Sequence, residues 1–160
     1  MHMKNQPQRR FDIDMHLVEG YQFQTQAHEG ERTHGVPFFS DEPDPVGAAS
    51  APATPALLAT AVAHCLSASL LETSRRARVP ITSIHTRATA IVEPNAEGHP
   101  RIARIEVHLA PSIEHDHPRK QRCEDVFQNY CTVSSSLKSA IDIDVNVRWL
   151  VSAPVPATLE

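Results

Sequence analysis

A chain of 160 residues, 41% hydrophobic and 21% charged, holds enough apolar material for one domain core and is too short for two independent ones. Its 15 basic residues against 19 acidic ones leave a net charge of -4, and no basic run exceeds a pair, so neither nucleic acid nor a membrane surface is an expected partner. No apolar stretch is expected to span a bilayer, and MHMKNQPQRR is not followed by an apolar leader core; the expected location is cytoplasmic.

From the amino terminus, residues 1–9 are expected to be flexible. FDIDMHLV (11–18) then sets Phe11, Ile13, Met15 and Leu17 against Asp12, Asp14 and His16, and YQFQTQAH (21–28) alternates again beyond Glu19-Gly20. The pattern predicts a hairpin with one wet face. EGERTHG reads as a turn and VPFF as a short strand, before an irregular loop, SDEPDPVGAASAPATP, whose acids are expected to be solvated.

Thr54-Pro55 is a good helix start, because threonine caps and proline sits where its missing N–H is not needed. From Ala56 to Arg78 neither glycine nor proline occurs, and Leu58, Ala61, Val62, Cys65, Leu66, Ser69 and Leu70 recur every three or four residues. The spacing predicts one long buried helix that ends at SRRAR and Val79-Pro80. ITSIHTRATAIVE (81–93) and RIARIEVHL (101–109) form a second predicted hairpin. Cys123, Val126, Phe127, Tyr130 and Cys131 fall on one predicted helical stripe, and TVSSSLKSA begins another helix with Thr132 as its cap. IDIDVNVRWLV (141–151) alternates as a single last strand, and 152–160 is expected to be a loose tail. The order of elements is α+β, built on antiparallel hairpins.

Three cysteines carry the candidate chemistry. Cys65 is either a small core residue on an apolar stripe or a reactive thiolate, and it lies too far from its own helix start for that dipole to ionise it. Cys131 sits at a helix junction, a better place for a stabilised thiolate, while Cys123 reads as core. Their spacing fits no zinc knuckle, and His115 and His117, flanking Asp116, lack the placement of a helical zinc site. His64 points about 100° away from Cys65 on a helix and makes a poor base for it.

Two stretches carry a family resemblance. PATPALLATAVAHCLSASLL resembles the segment of OsmC-like proteins, the osmotically inducible and organic hydroperoxide resistance group, in which a proline-containing loop enters a long helix bearing a cysteine; FQNYCTVSSSL resembles their second cysteine motif. DEPDPVG and IDIDVNV are also similar, and the likeness covers about residues 10–148, consistent with one domain over 10–151. The resemblance implies an intertwined α+β homodimer with long central helices wrapped by curved sheets, and Ala56, Ala59, Ala63 and Ser67 suit close helix packing. It further implies that Cys65 attacks an organic hydroperoxide, that Cys131 resolves the sulfenic acid, and that a dithiol reductant restores both, with no cofactor or metal. Peroxidases of the family carry a glutamate where this chain has Pro55 or Ala56, and an upstream arginine, whereas Thr33 to Leu58 contains none. Arg32, with Glu42 or Asp44, is therefore the candidate activating group. The alternatives are a non-catalytic dimer that binds an apolar molecule, or a structural stress protein.

Overall fold

The computed structural model describes residues 8–152, and the chain divides after Thr54 into two compact units. The first is an antiparallel meander of β1 (Phe11–Glu19), β2 (Gln22–Glu29) and β3 (Arg32–Ser40). Gly20 and Gly30, both at positive φ, allow the tight reversals between strands. Arg32 to Gly35, expected in a turn, already belong to β3, because Glu29 pairs with Arg32 across a two-residue connection. A bulge at Gly35 then shifts the register so that Phe38 faces Thr25. In the single chain Phe11, Ile13, Met15 and Leu17, on the side opposite Asp12 and Asp14, are 65%, 61%, 52% and 58% exposed.

The loop after β3 is not a solvated turn throughout. Asp41 is buried, and its carboxylate accepts hydrogen bonds from the amides of Glu42 (2.8 Å), Ala48 (3.3 Å) and Ser50 (3.1 Å) and from the Ser50 hydroxyl (2.7 Å). Those donors, the Ser50 hydroxyl foremost, hold the Asp41 pKa below its ordinary value. A Cβ on Gly47 would come within 2.2 Å of the Glu42 carbonyl oxygen, so only glycine lets the loop close around this carboxylate.

The second unit is built on α1 (Thr54–Ala77), whose Ala59, Val62, Leu66 and Leu70 pack in one core with Ile105, Val107, Leu109 and Ile113. Ala61, expected on the buried stripe, is exposed, since the core contact centres on the Val62–Leu66–Leu70 row about 100° from it. The helix stops at Arg78, which takes a left-handed φ of 61° while the Val79 amide donates back to the Ser74 carbonyl at 2.9 Å. Arg75, then Arg76, hold the exposed Glu72 carboxylate down to about 2. Contrary to the sequence expectation, α1 is long and apolar enough to cross a membrane, with a mean hydropathy of 1.5; its Val62, Leu66 and Leu70 are instead wholly enclosed by the core.

β4 (Ile81–Pro94) and β5 (Pro100–Ile113) form the expected hairpin, closed by the Asn95 side chain on the amides of Glu97 and His99. The carboxy-terminal strand departs from expectation twice. It is two strands, β6 (Asp142–Val147) and β7 (Leu150–Val151), and both run parallel to β5. Parallel neighbours need a long crossover. Residues 114–141 supply it through α2 (Lys120–Phe127), a 3₁₀ turn (Gln128–Tyr130) and α3 (Thr132–Leu137). The break between β6 and β7 falls at Arg148, whose amide donates to the Leu109 carbonyl, and Trp149, whose Nε1 donates to Glu124 on α2. Cys123, Phe127 and Cys131 are buried at four-residue intervals. Tyr130, expected beside them, is 53% exposed, because the chain tightens into a 3₁₀ turn after Phe127 and the stripe loses its phase.

Two substitutions test the Asp41 loop by thermal melts. Gly47→Ala should cost ~1–3 kcal/mol by overpacking. Wild-type stability should fall as pH drops below the ordinary aspartate value and through the depressed pKa of Asp41, since its charged form is the one the loop holds. Asp41→Asn should be less stable at pH 7 and lose that part of the acid sensitivity.

Candidate functional site: a thiol pair between two helices

Cys65 lies in the middle of α1, half-buried at the edge of the core, and Cys131 is wholly buried at the head of α3. The Cys131 side chain lies in the core against which Cys65 packs, near enough to raise its pKa, although 66 residues separate the two in sequence. A second contact explains why they meet: the Arg119 guanidinium donates to the Ala77 carbonyl at 3.1 Å. Twelve residues separate Cys65 from Ala77, and twelve separate Arg119 from Cys131. The 119–131 segment therefore runs antiparallel to α1 over ~18 Å, tied at one end by Arg119 and meeting Cys65 with Cys131 at the other.

Cys131, not Thr132, is the N-cap of α3. It has extended backbone angles (φ -83°, ψ 102°), and its sulfur accepts from the Ser134 amide at 3.3 Å. Ser134 Oγ returns a bond to the Cys131 carbonyl at 3.4 Å. The preceding amides, of Val133 and Thr132, lower the pKa of Cys65. One helical turn thus serves both thiols.

These groups oppose one another at Cys65. Burial, then the abutting Cys131 thiol, push its pKa above the ordinary thiol value, while the amides of Val133 and Thr132 pull it down; the net direction is upward. Cys65 is accordingly a thiol at neutral pH, with a small thiolate fraction that two amides help to hold. Ser134 is the participant that sequence reasoning missed. Its signal is the N-cap to N3 spacing of a capping box, C-T-V-S, which is easily overlooked because cysteine is not a usual cap.

The other candidates lie elsewhere in the chain. Arg32 opens β3, and Glu42 and Asp44 lie in the loop behind it, all in the first unit. Cys123 faces the core of the second unit, as expected. His115 and His117 belong to the lead-in of α2, where Lys120 binds Asp116 at 2.5 Å and His117 Nδ1 accepts the Arg119 amide. Among the described residues, no group of three or more His, Cys, Asp or Glu side chains is gathered as a metal site.

The sequence model of the family described as OsmC-like protein matches residues 47–146, which include both cysteines. The chain belongs to the OsmC-like family. Solved structures agree on the fold. An OsmC-like protein from Mycoplasma pneumoniae superposes with a TM-score of 0.70 at 18% identity, covering 88% of this chain and 97% of that one. A hypothetical protein from Aquifex aeolicus gives 0.70 at 10% identity, covering 89% and 97%. An organic hydroperoxide resistance protein from Elizabethkingia anophelis gives 0.64 at 17% identity, covering 92% and 100%. No curated protein matches the chain. The α+β OsmC-like fold expected from the two cysteine motifs is the one the chain adopts.

The site's electrostatics set its pH response. Iodoacetamide should label half-buried Cys65 ahead of buried Cys131, at a rate that rises about tenfold per pH unit from pH 7 to pH 9, following the thiolate fraction. Peptide mapping of the native protein checks both order and slope; a plateau below pH 8 would mean a depressed pKa instead.

Proposed function

We propose that this OsmC-like protein is a thiol-dependent peroxidase for organic hydroperoxides, with Cys65 as the attacking thiol and Cys131 as the resolving one. The observation that carries this reading is the placement of a half-buried thiol against the core that holds a buried one, on two different helices. The Cys65 thiolate attacks the outer peroxide oxygen, the O–O bond breaks, and the alkoxide leaves and takes a proton as alcohol. Cys65 becomes a sulfenic acid. The Cys131 sulfur then attacks the Cys65 sulfur, the S–OH bond breaks, and the hydroxyl leaves with the Cys131 proton as water. A dithiol reductant exchanges with the resulting disulfide and restores both thiols.

This chemistry needs no metal or organic cofactor, because the oxidant is the substrate and both electrons come from sulfur. The thiolate is supported by the amides of Thr132 and Val133, and Arg32, with Glu42 or Asp44, is the proposed source of further positive charge and its alignment. Relatives of the same fold are called organic hydroperoxide resistance proteins, which is consistent with this substrate class. Three free cysteines fit a reducing compartment such as the cytoplasm.

The protein is further proposed to act as a homodimer. Support comes from the row Phe11, Ile13, Met15 and Leu17, an exposed apolar surface of the kind that a second copy covers. The raised Cys65 pKa favours a second reading, a non-catalytic dimer holding an apolar molecule.

Consumption of cumene hydroperoxide with dithiothreitol separates the two readings. Cys65→Ser should lose activity by at least about a hundredfold, and Cys131→Ser treated with one equivalent of hydroperoxide in the absence of dithiothreitol should stop at the sulfenic acid. Equal rates in wild type and Cys65→Ser would end the catalytic reading. Light scattering should give twice the chain mass of 17.7 kDa, and Ile13→Asp with Leu17→Asp should shift the protein toward monomer.

A further inference from the structure

The Cys131 sulfur has two uses that exclude one another. As a thiol it is the N-cap of α3, holding the Ser134 amide at 3.3 Å. As the resolving group it must bond to Cys65. The first regular bond of α3 runs from the Ser135 amide to the Cys131 carbonyl at 3.0 Å, and of the three amides ahead of it that of Ser134 is held by the Cys131 sulfur. α3 is only six residues long and has no acidic side chain in its first turn, so it has little besides that cap to hold its beginning.

We propose that formation of the Cys65–Cys131 disulfide unfastens the first turn of α3, which makes this short helix the redox-responsive element of the chain. The inference rests on the peroxidase reading for its oxidant: the hydroperoxide is reduced to alcohol, the two thiols lose two hydrogens between them, and water carries the Cys131 proton away. Both cysteines are free, so bringing the sulfurs to covalent distance requires one of them to move. Cys65 is fixed in the 24-residue α1, next to Leu66 and three residues after Val62, both with no exposed surface. Cys131 stands at the joint between a 3₁₀ turn and α3, flanked by exposed Tyr130 and Thr132. The motion therefore falls on Cys131.

Its sulfur swings off the Ser134 amide, which is left without that acceptor. Loosening of this turn also uncovers the Cys131 sulfur, which is wholly buried in the dithiol state, at the stage when a dithiol reductant has to reach the bond.

Amide hydrogen exchange on the full chain tests this, with the disulfide made in parallel by one equivalent of cumene hydroperoxide and by diamide, and verified as the loss of two hydrogens by mass. In the disulfide form, protection over Thr132–Ser134 should fall about five- to tenfold, the size of a lost helix cap, while Ile105–Leu109 in β5 stay unchanged. In Cys131→Ser, where a hydroxyl caps the helix and no disulfide forms, protection should be the same with and without oxidant. Equal or greater protection in the verified disulfide form would overturn the inference, as would loss of protection in oxidised Cys131→Ser. A disulfide formed by diamide but not by hydroperoxide would remove the peroxidase reading and leave the exchange comparison standing. No disulfide by either route would overturn both.

Discussion

β5 is the member on which the second unit depends. It pairs with β4 on one side and with β6 and β7 on the other, and its Ile105, Val107, Leu109 and Ile113 form the floor under Val62, Leu66 and Leu70 of α1. Each such side chain, fully enclosed, contributes roughly 1.5–3 kcal/mol of hydrophobic stabilisation. That is enough for this one face to decide where α1 lies. Because β6 runs parallel to β5, the chain must return from one end of the sheet to the other before it can pair. The return path is α2, the 3₁₀ turn and α3. Cys131 is therefore carried past α1 by a requirement of strand direction, and the thiol contact is a product of topology as much as of local sequence.

At the contact itself, desolvation and hydrogen bonding oppose each other. A thiol half-withdrawn from water beside a second thiol is hard to ionise, and the arginine that would ease this is absent from the stretch between Thr33 and Leu58. The first turn of α3 offers the fixed dipoles of the Val133 and Thr132 amides, which lower the Cys65 pKa. Dipoles of this kind need no side-chain ordering when charge develops on sulfur, but they act only while the turn keeps its shape. The pKa of Cys65 is in this way set by the first turn of α3 as well as by its own burial.

Much of the fold was legible in the sequence. Thr54-Pro55 and the spacing of Val62, Leu66 and Leu70 marked α1, and alternation marked β1, β2, β4 and β5. What escaped has physical reasons. Of β3 only the VPFF half reads as a strand; its first half, Arg32-Thr33-His34, is polar and exposed on both faces, so no alternation announces it. Alternation in IDIDVNV identifies a strand but carries no information about its partner's direction, so the parallel pairing was not visible. Tyr130 was misplaced because one 3₁₀ turn breaks the helical phase. At the site, Cys65 and Cys131 were legible as a pair only through the two motifs. The capping role of Cys131 and the part of Ser134 depend on a sulfur acting as a hydrogen-bond acceptor, which residue-type preferences do not anticipate.

Trp149 gives the molecule a further property. It stands between β6 and β7, its indole Nε1 donates to Glu124 on α2, and it is the only tryptophan in the sequence. One chromophore is thus seated at the point where the crossover rejoins the sheet. The ultraviolet emission of the protein is in effect the emission of that junction, and its colour and intensity carry the state of α2 against the strands without any label being added.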